Sequence, residues 1–193
     1  MSSESVRKTN NEIESLGKWI QSNVQLPENP LNAALWPKDF QYARSLESDT
    51  EVYAVTAVDD SESCEQFEML ENVREQDILS YQLAESAPGQ IDLEYSWAVA
   101  DDTVRRGLRE GLSAEGGMRK VAQTSEKMLR PGGVAVYNLD AAGGREELPF
   151  DSQMEFGRTF EDILKEDYGV EAEIYESPRM RDSNTHMVWK KPV

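Results

Sequence analysis

The chain has one cysteine, one histidine and, across residues 1–51, one glycine, and each shortage excludes something. Cys64 has no second cysteine to bridge and no partners for a thiolate metal cluster. Beside Phe67 in a helical pattern, it reads as a buried structural thiol. With His186 as the sole imidazole, a multi-histidine metal site is excluded and a Ser-His-Asp triad is disfavoured. No apolar run approaches the length of a membrane span, and Met1 to Val6 lacks the basic and apolar regions of a signal peptide. The expectation is a soluble cytoplasmic protein without a metal. Basic charge is also short: 20 Lys and Arg stand against 37 Asp and Glu, for a formal net charge of −17. Phosphate neutralisation needs a basic surface, so nucleic acid is not an expected partner. The acids are dispersed rather than gathered in a tail, which suits a halophile's salty cytoplasm, an ordinary acidic protein, or a surface for a basic protein partner.

What is present is concentrated between Ser125 and Leu139. A helical pattern reaches Leu129 and Arg130, Pro131 blocks its continuation, and Gly132 and Gly133 turn the backbone. The run Val134 to Leu139 is then apolar without polar alternation at its start, as expected of a strand buried on both faces of a parallel sheet.

The rest of the chain alternates in the same way. Thr9 to Glu12 reads as a capping box, followed by an apolar stripe of Ile13, Leu16, Ile20 and Val24 suited to a lid or a homodimer contact. Pro27 and Pro30 end that helix, and Leu31 to Pro37 is short and apolar. Asp39 caps a second short helix carrying Phe40, Ala43 and Leu46. Val52 to Val58 reads as a strand, then Phe67, Leu70 and Val73 as one face of a helix. A short strand is expected near Asp77 to Leu79 and a longer one over Ile91 to Val99. Helices follow over Val104 to Leu112 and over Met118 to Leu129, and another carries Phe156, Phe160, Ile163 and Leu164. Val170–Glu176 and His186–Lys190 close the chain as an antiparallel hairpin. The fold class is α/β: a three-layer sandwich with a mostly parallel twisted sheet and one reversed strand near the end. Residues 1–193 form one domain, with 1–48 as an N-terminal helical extension packed on it.

Leu129-Arg130-Pro131-Gly132-Gly133 feeding an apolar strand resembles the segment before the fifth strand of class I S-adenosylmethionine-dependent methyltransferases. The resemblance extends from Val52 to the C-terminus. It implies a Rossmann-like methyltransferase fold, S-adenosylmethionine as cofactor, and a small-molecule or protein substrate. Asp59 then supplies the acid that accepts from the ribose hydroxyls, unless the register places Thr56 there. Asp77 resembles the acid that contacts the adenine amino group. Ile91 to Val99 resembles the fourth strand, whose end at Ser96 and Trp97 faces cofactor and substrate. The family's first strand leads into a glycine-rich turn where backbone N–H groups approach the cofactor. Here the only glycine before Glu51 is Gly17, inside the first helix, so the first strand is expected to be degenerate or replaced by Leu31 to Trp36. Two functions follow: an active methyltransferase, or a pseudoenzyme, a non-catalytic binding module that has lost the cofactor loop.

No catalytic residue stands out, because methyl transfer needs mainly alignment of the nucleophile with a good leaving group. Each candidate also has a plain structural reading. Asp59 serves equally as a helix cap and Asp77 as a strand terminus, and Asp101 and Asp102 are more simply an N-cap pair than a general base. Tyr95 and Trp97 fit a core as well as a stacking platform. Trp36 suits a cleft wall or a plug where the first strand should be. His186 is expected to be exposed on an edge strand, and Gly143, Gly144 and Arg145 to form a flexible loop.

Overall fold

The computed structural model describes residues 31–35, 52–55, 73–78, 84–97, 99–139, 148–176 and 185–193. In chain order these form β1 (Asn32–Leu35), β2 (Val52–Val55), β3 (Val73–Ile78) and β4 (Ile91–Trp97). Helices α1 (Val99–Arg109) and α2 (Ala114–Met128) follow, then β5 (Leu129–Asn138), α3 (Gln153–Tyr168), β6 (Ala172–Glu176) and β7 (Thr185–Lys190). The strands make one seven-stranded sheet in the order β3-β2-β1-β4-β5-β7-β6. Pairings from β3 through β5 are parallel, and β7 runs antiparallel to both β5 and β6. The expected α/β architecture with its closing hairpin is therefore present.

β1 occupies the centre of the sheet although it has only four residues. Asn32 to Leu35, within the expected Leu31 to Trp36 segment, thus supplies the shortened first strand, inside a stretch otherwise read as a helical extension. Asp92 holds it there. The Leu31 N–H donates to the Asp92 carboxylate at 2.7 Å, and the Asp92 N–H donates back to the Leu31 carbonyl at 2.8 Å. The same carboxylate is ion-paired with Arg130 at the start of β5. One nearly buried acid so ties the entrances of three adjacent strands together.

β4 and β5 are buried on both faces. Along β4, Ile91, Leu93 and Tyr95 lie on one face and Glu94 and Ser96 on the other, and all five are excluded from solvent. α2 ends at Met128, one residue before the expected stop, and strand pairing begins at once with Leu129 opposite Ile91. Gly132 has φ +79°, and a Cβ on Gly133 would stand 2.9 Å from the backbone oxygens of Ile91 and Arg130. The Pro-Gly-Gly segment therefore lets β5 start hard against β4, which no residue with a side chain permits. Lys191 completes the junction: its ammonium donates to the Leu129 carbonyl at 2.9 Å and to the Glu126 carbonyl, and it pairs with the Glu126 carboxylate at 2.9 Å. These bonds satisfy carbonyls that the end of α2 leaves open.

α2 and α3 cover one face of β4, β5 and β7. Ser113 caps α2 by accepting from the Gly116 N–H, and Ser152 caps α3 by accepting from the Glu155 N–H. Gly169, at φ +67°, closes α3. Phe160 of α3 stacks on Tyr137 of β5 at 5.4 Å, and Tyr168 lies against Trp189 of β7. Arg119 bridges α2 to α3 through Glu166, at 2.6 Å, and Asp167.

Two local expectations are corrected. Val73 opens strand β3 rather than closing a helix, so that strand is longer than the sequence pattern suggested. His186 is buried, at 2% exposure, because β7 lies inside the sheet between β5 and β6. The N-terminal capping box and stripe, Trp36, Cys64 and the Gly143 to Arg145 loop lie outside the described residues.

Asp92→Ala should cost about 2–3 kcal/mol in urea unfolding, since it leaves Arg130 unpaired and the Leu31 N–H without its acceptor. Gly133→Ala should lower stability by about 2–4 kcal/mol, because the obstructing atoms are backbone and cannot turn aside.

Candidate functional site

In an open parallel sheet, the ligand crevice opens at the carboxyl ends of the strands where the strand order reverses. Here that point lies between β1, followed outward by β2 and β3, and β4, followed by β5. Leu35 at the end of β1 pairs in register with Ser96, one residue before the end of β4. Ser96 is 1% exposed, and its hydroxyl has no hydrogen-bond partner among the described residues. A buried hydroxyl without a partner is costly and therefore informative.

The other predicted residues distribute around this point. Asp77 is the penultimate residue of β3, whose end pairs with β2 through Ile78 and Val55, so it sits at the same edge two strands away from β1. Trp97 is the last residue of β4, with its backbone paired to Asn138. Asp59 lies outside the described residues, beyond the end of β2. Asp101 and Asp102 lie inside the first turn of α1, which begins at Val99, so they are not the N-cap pair the sequence suggested. The structure thus brings Asp77, Ser96 and Trp97 to one edge of the sheet.

Beneath Ser96, on the same face of β4, sits a buried network that sequence reasoning missed. Tyr137 of β5, in register with Ser96, donates its phenol proton to the Ser125 hydroxyl of α2 at 2.5 Å. Ser125 in turn hydrogen-bonds the Glu94 carboxyl, whose second oxygen is unpartnered among the described residues. Burial raises the Glu94 pKa from the ordinary 4.5 to about 8, outweighing the Ser125 bond that favours the ionised form. The Tyr137 phenol is also pushed well above its usual range, by burial first and by the Glu94 charge second. A signal was available: Glu94 is an acid in the middle of an expected strand of a sheet covered by helices, and a buried acid must be neutral or paired.

The opposite face of the same strands carries a second cluster. Nε2 of His186 (β7) lies 3.4 Å from the Tyr95 hydroxyl (β4) and 3.3 Å from the Asn138 amide nitrogen (β5). All three side chains are buried. Asn138 ends β5 and pairs in register with His186, so the cluster stands at the crevice edge on the β4–β5–β7 side. Among the described residues no group of three His, Cys, Asp or Glu side chains is placed to hold a metal ion, and no helix is long and apolar enough to cross a membrane.

No family model and no curated protein matches the chain. Several solved structures do. The O-methyltransferase TomG from Streptomyces achromogenes, in complex with SAM, is similar over 95% of this chain and 80% of its own, with a TM-score of 0.58 at 14% identity. An O-methyltransferase from Bacillus cereus in complex with SAH is similar over 94% and 81%, with a TM-score of 0.56 at 14% identity. The 1,6-didemethyltoxoflavin-N1-methyltransferase of Burkholderia thailandensis, with bound 1,6-didemethyltoxoflavin and S-adenosylhomocysteine, matches over 95% and 78%, with a TM-score of 0.59 at 11% identity. At these identities the likeness is one of fold, and the fold is that of the class I S-adenosylmethionine-dependent methyltransferases.

The raised Glu94 pKa has a signed consequence. The folded state holds this proton more tightly than the unfolded chain, so the Glu94 contribution to stability falls as pH rises from about 4.5 through about 8. Glu94→Gln should flatten that part of the stability profile and gain on the order of 3 kcal/mol over the parent above pH 8. Chemical unfolding at a series of pH values measures both; parallel profiles for the two proteins would refute the assignment.

Proposed function

We propose that the chain binds S-adenosylmethionine across the crevice between β1 and β4 and transfers its methyl group to a small molecule or a protein. The observation that carries this reading is the partnerless buried hydroxyl of Ser96, set opposite Leu35 at the reversal point of a methyltransferase-like sheet. A polar ligand reaching that point would supply the missing hydrogen bond. The solved methyltransferases of the same fold, crystallised with SAM or S-adenosylhomocysteine, support the choice of ligand.

The assignments follow the resemblance residue by residue. Asp59, beyond β2, would accept from the ribose hydroxyls. Asp77, at the end of β3, would accept from the adenine amino group. Ser96 and Trp97, at the end of β4, would face the methionine portion and the acceptor. The cofactor supplies an activated methyl on a sulfonium; the chain's part is to align the nucleophile behind it and exclude water. The acidity that disfavours nucleic acid also favours a small-molecule or protein acceptor.

A second reading is a non-catalytic module on the same scaffold. One observation favours it: β1 ends at Leu35 and the sequence that follows, Trp36-Pro37, has no glycine to let backbone N–H groups approach a ligand. Pro37 has no N–H to offer.

Calorimetric titration with S-adenosylmethionine and S-adenosylhomocysteine, at low and at molar salt, separates the readings. Micromolar binding is expected, and Asp77→Ala should weaken it at least tenfold without changing the melting temperature by more than a few degrees. A folded protein that gives no heat in either buffer would leave the non-catalytic reading standing.

A further inference from the structure

Two buried oxygen atoms on one face of β4 lack a partner among the described residues: Oε2 of Glu94 and the hydroxyl of Ser96. Both residues are 1% exposed. The two atoms do not bond each other. Their positions are two apart on a strand, so their Cα atoms stand about 7 Å from one another. One water, which reaches about 2.8 Å to each side, spans what remains once both side chains lean into the gap. The surroundings are small. Ala135 of β5 pairs with Glu94 in register, and Ala122 lies one turn before Ser125 on the buried face of α2. Leaving either oxygen unsatisfied is costly, and a buried site with two polar partners is one that an internal water fills.

The bonds behind Glu94 run in one direction. Tyr137 donates its proton to the Ser125 oxygen, which leaves the Ser125 proton for Glu94. The Glu94 oxygen engaged in this way is an acceptor, and while the carboxyl is neutral its own proton stands on Oε2. Oε2 is then a donor that must give its proton outward, along the strand toward Ser96. A water placed there accepts from Oε2 and donates to the Ser96 oxygen. The Ser96 proton is left to point at the crevice. Among the described residues, Ser125 faces Glu94 from α2 and Tyr137 faces it from β5, with Trp189 of β7 and Tyr168 of α3 acting on Tyr137. On the β1 side Ala33 pairs with Glu94 in backbone register.

We propose that a water molecule is bound between Oε2 of Glu94 and the Ser96 hydroxyl, accepting from the first and donating to the second, and that it fixes Ser96 as a hydrogen-bond donor toward the crevice. The second half of this rests on the methyl-transfer reading above. The group of the bound ligand that meets Ser96 is then a lone pair on oxygen or nitrogen and not an ammonium. The polarity reverses when Glu94 ionises. Oε2 accepts from the water, the water accepts from Ser96, and the serine proton turns away from the ligand.

A crystal structure of the chain tests the water site. Solvent density about 2.6–3.2 Å from both oxygens is expected. Side-chain atoms filling that space, or a direct bond between Glu94 and Ser96, would overturn the proposal. In solution, ¹⁷O relaxation dispersion counts the waters held for longer than the protein tumbles. Ser96→Val, which removes the hydroxyl and fills its place with methyl groups, should hold one fewer than the parent; an equal count overturns the site. Polarity is read from S-adenosylhomocysteine affinity between pH 6.5 and pH 9.5, in the parent and in Glu94→Gln, whose amide donates to the water at every pH. The ratio of the two affinities cancels the ligand's own titration. It should shift at least fivefold against the parent as Glu94 ionises at about pH 8. A constant ratio overturns the donor role of Ser96 while the methyl-transfer reading stands. No binding to either protein at any pH sinks that reading and the ligand assignment with it, and the solvent density then decides the water site alone.

Discussion

A four-residue strand at the centre of a seven-stranded sheet depends on something other than its own length, and here that is the carboxylate of Asp92. β1 offers few ladder bonds, and a central strand that slipped would expose the pairing edges of β2 and β4 together. Asp92 fixes the register at the entry to β1 by accepting the Leu31 N–H, while its own N–H returns a bond to the Leu31 carbonyl. Its pairing with Arg130 carries the constraint across to β5. The carboxyl edge of the sheet, where the crevice lies, is thus set from the opposite edge. Leu35 stands beside Ser96 because Leu31 is held beside Asp92.

The β4–β5 junction obeys a related constraint. Gly133 admits the β4 backbone at a distance no side chain allows, and Lys191 from the end of the chain closes the carbonyls left open by α2. Register between β4 and β5 then places Ser96 against Tyr137 and Trp97 against Asn138. Consecutive residues of β5 consequently serve different networks. Tyr137 turns to Ser125 and Glu94 under the helices, and Asn138 turns to His186 on the other face.

Much of this was legible from residue pattern alone. The apolar run of β5 and the Pro-Gly-Gly stop before it announced a buried parallel strand, and the closing hairpin followed from its two β-prone runs. β1 was harder: Asn32 to Leu35 is too short to show a period, and flanking prolines at 30 and 37 make it read as a connector. The burial of His186 was hidden for a different reason. A strand's own residues do not say whether it lies at an edge or inside, and β7 is inside because β6 adds beyond it. Of the site, the edge positions Asp77, Ser96 and Trp97 could be named from motif order. The clusters could not, since Tyr95 and His186 are 91 residues apart and meet only through register across three strands.

The two buried clusters also bear on how an acidic chain can keep polar groups inside its core. Glu94 adds nothing to the surface charge that keeps the protein hydrated, and burial holds it neutral over the physiological range. A neutral carboxyl can donate as well as accept, so the chain from Tyr137 through Ser125 to Glu94 is consistent with no charge at all. An ionised Glu94 would face the Tyr137 phenol, which its charge opposes ionising, and would find no cation in that network. Among the described residues, charge on β4 and β5 therefore lies at their entry, at Asp92 and Arg130, and not in the helix-covered network of Tyr137, Ser125 and Glu94. That distribution, more than the total of −17, is the electrostatic feature the fold imposes on its candidate site.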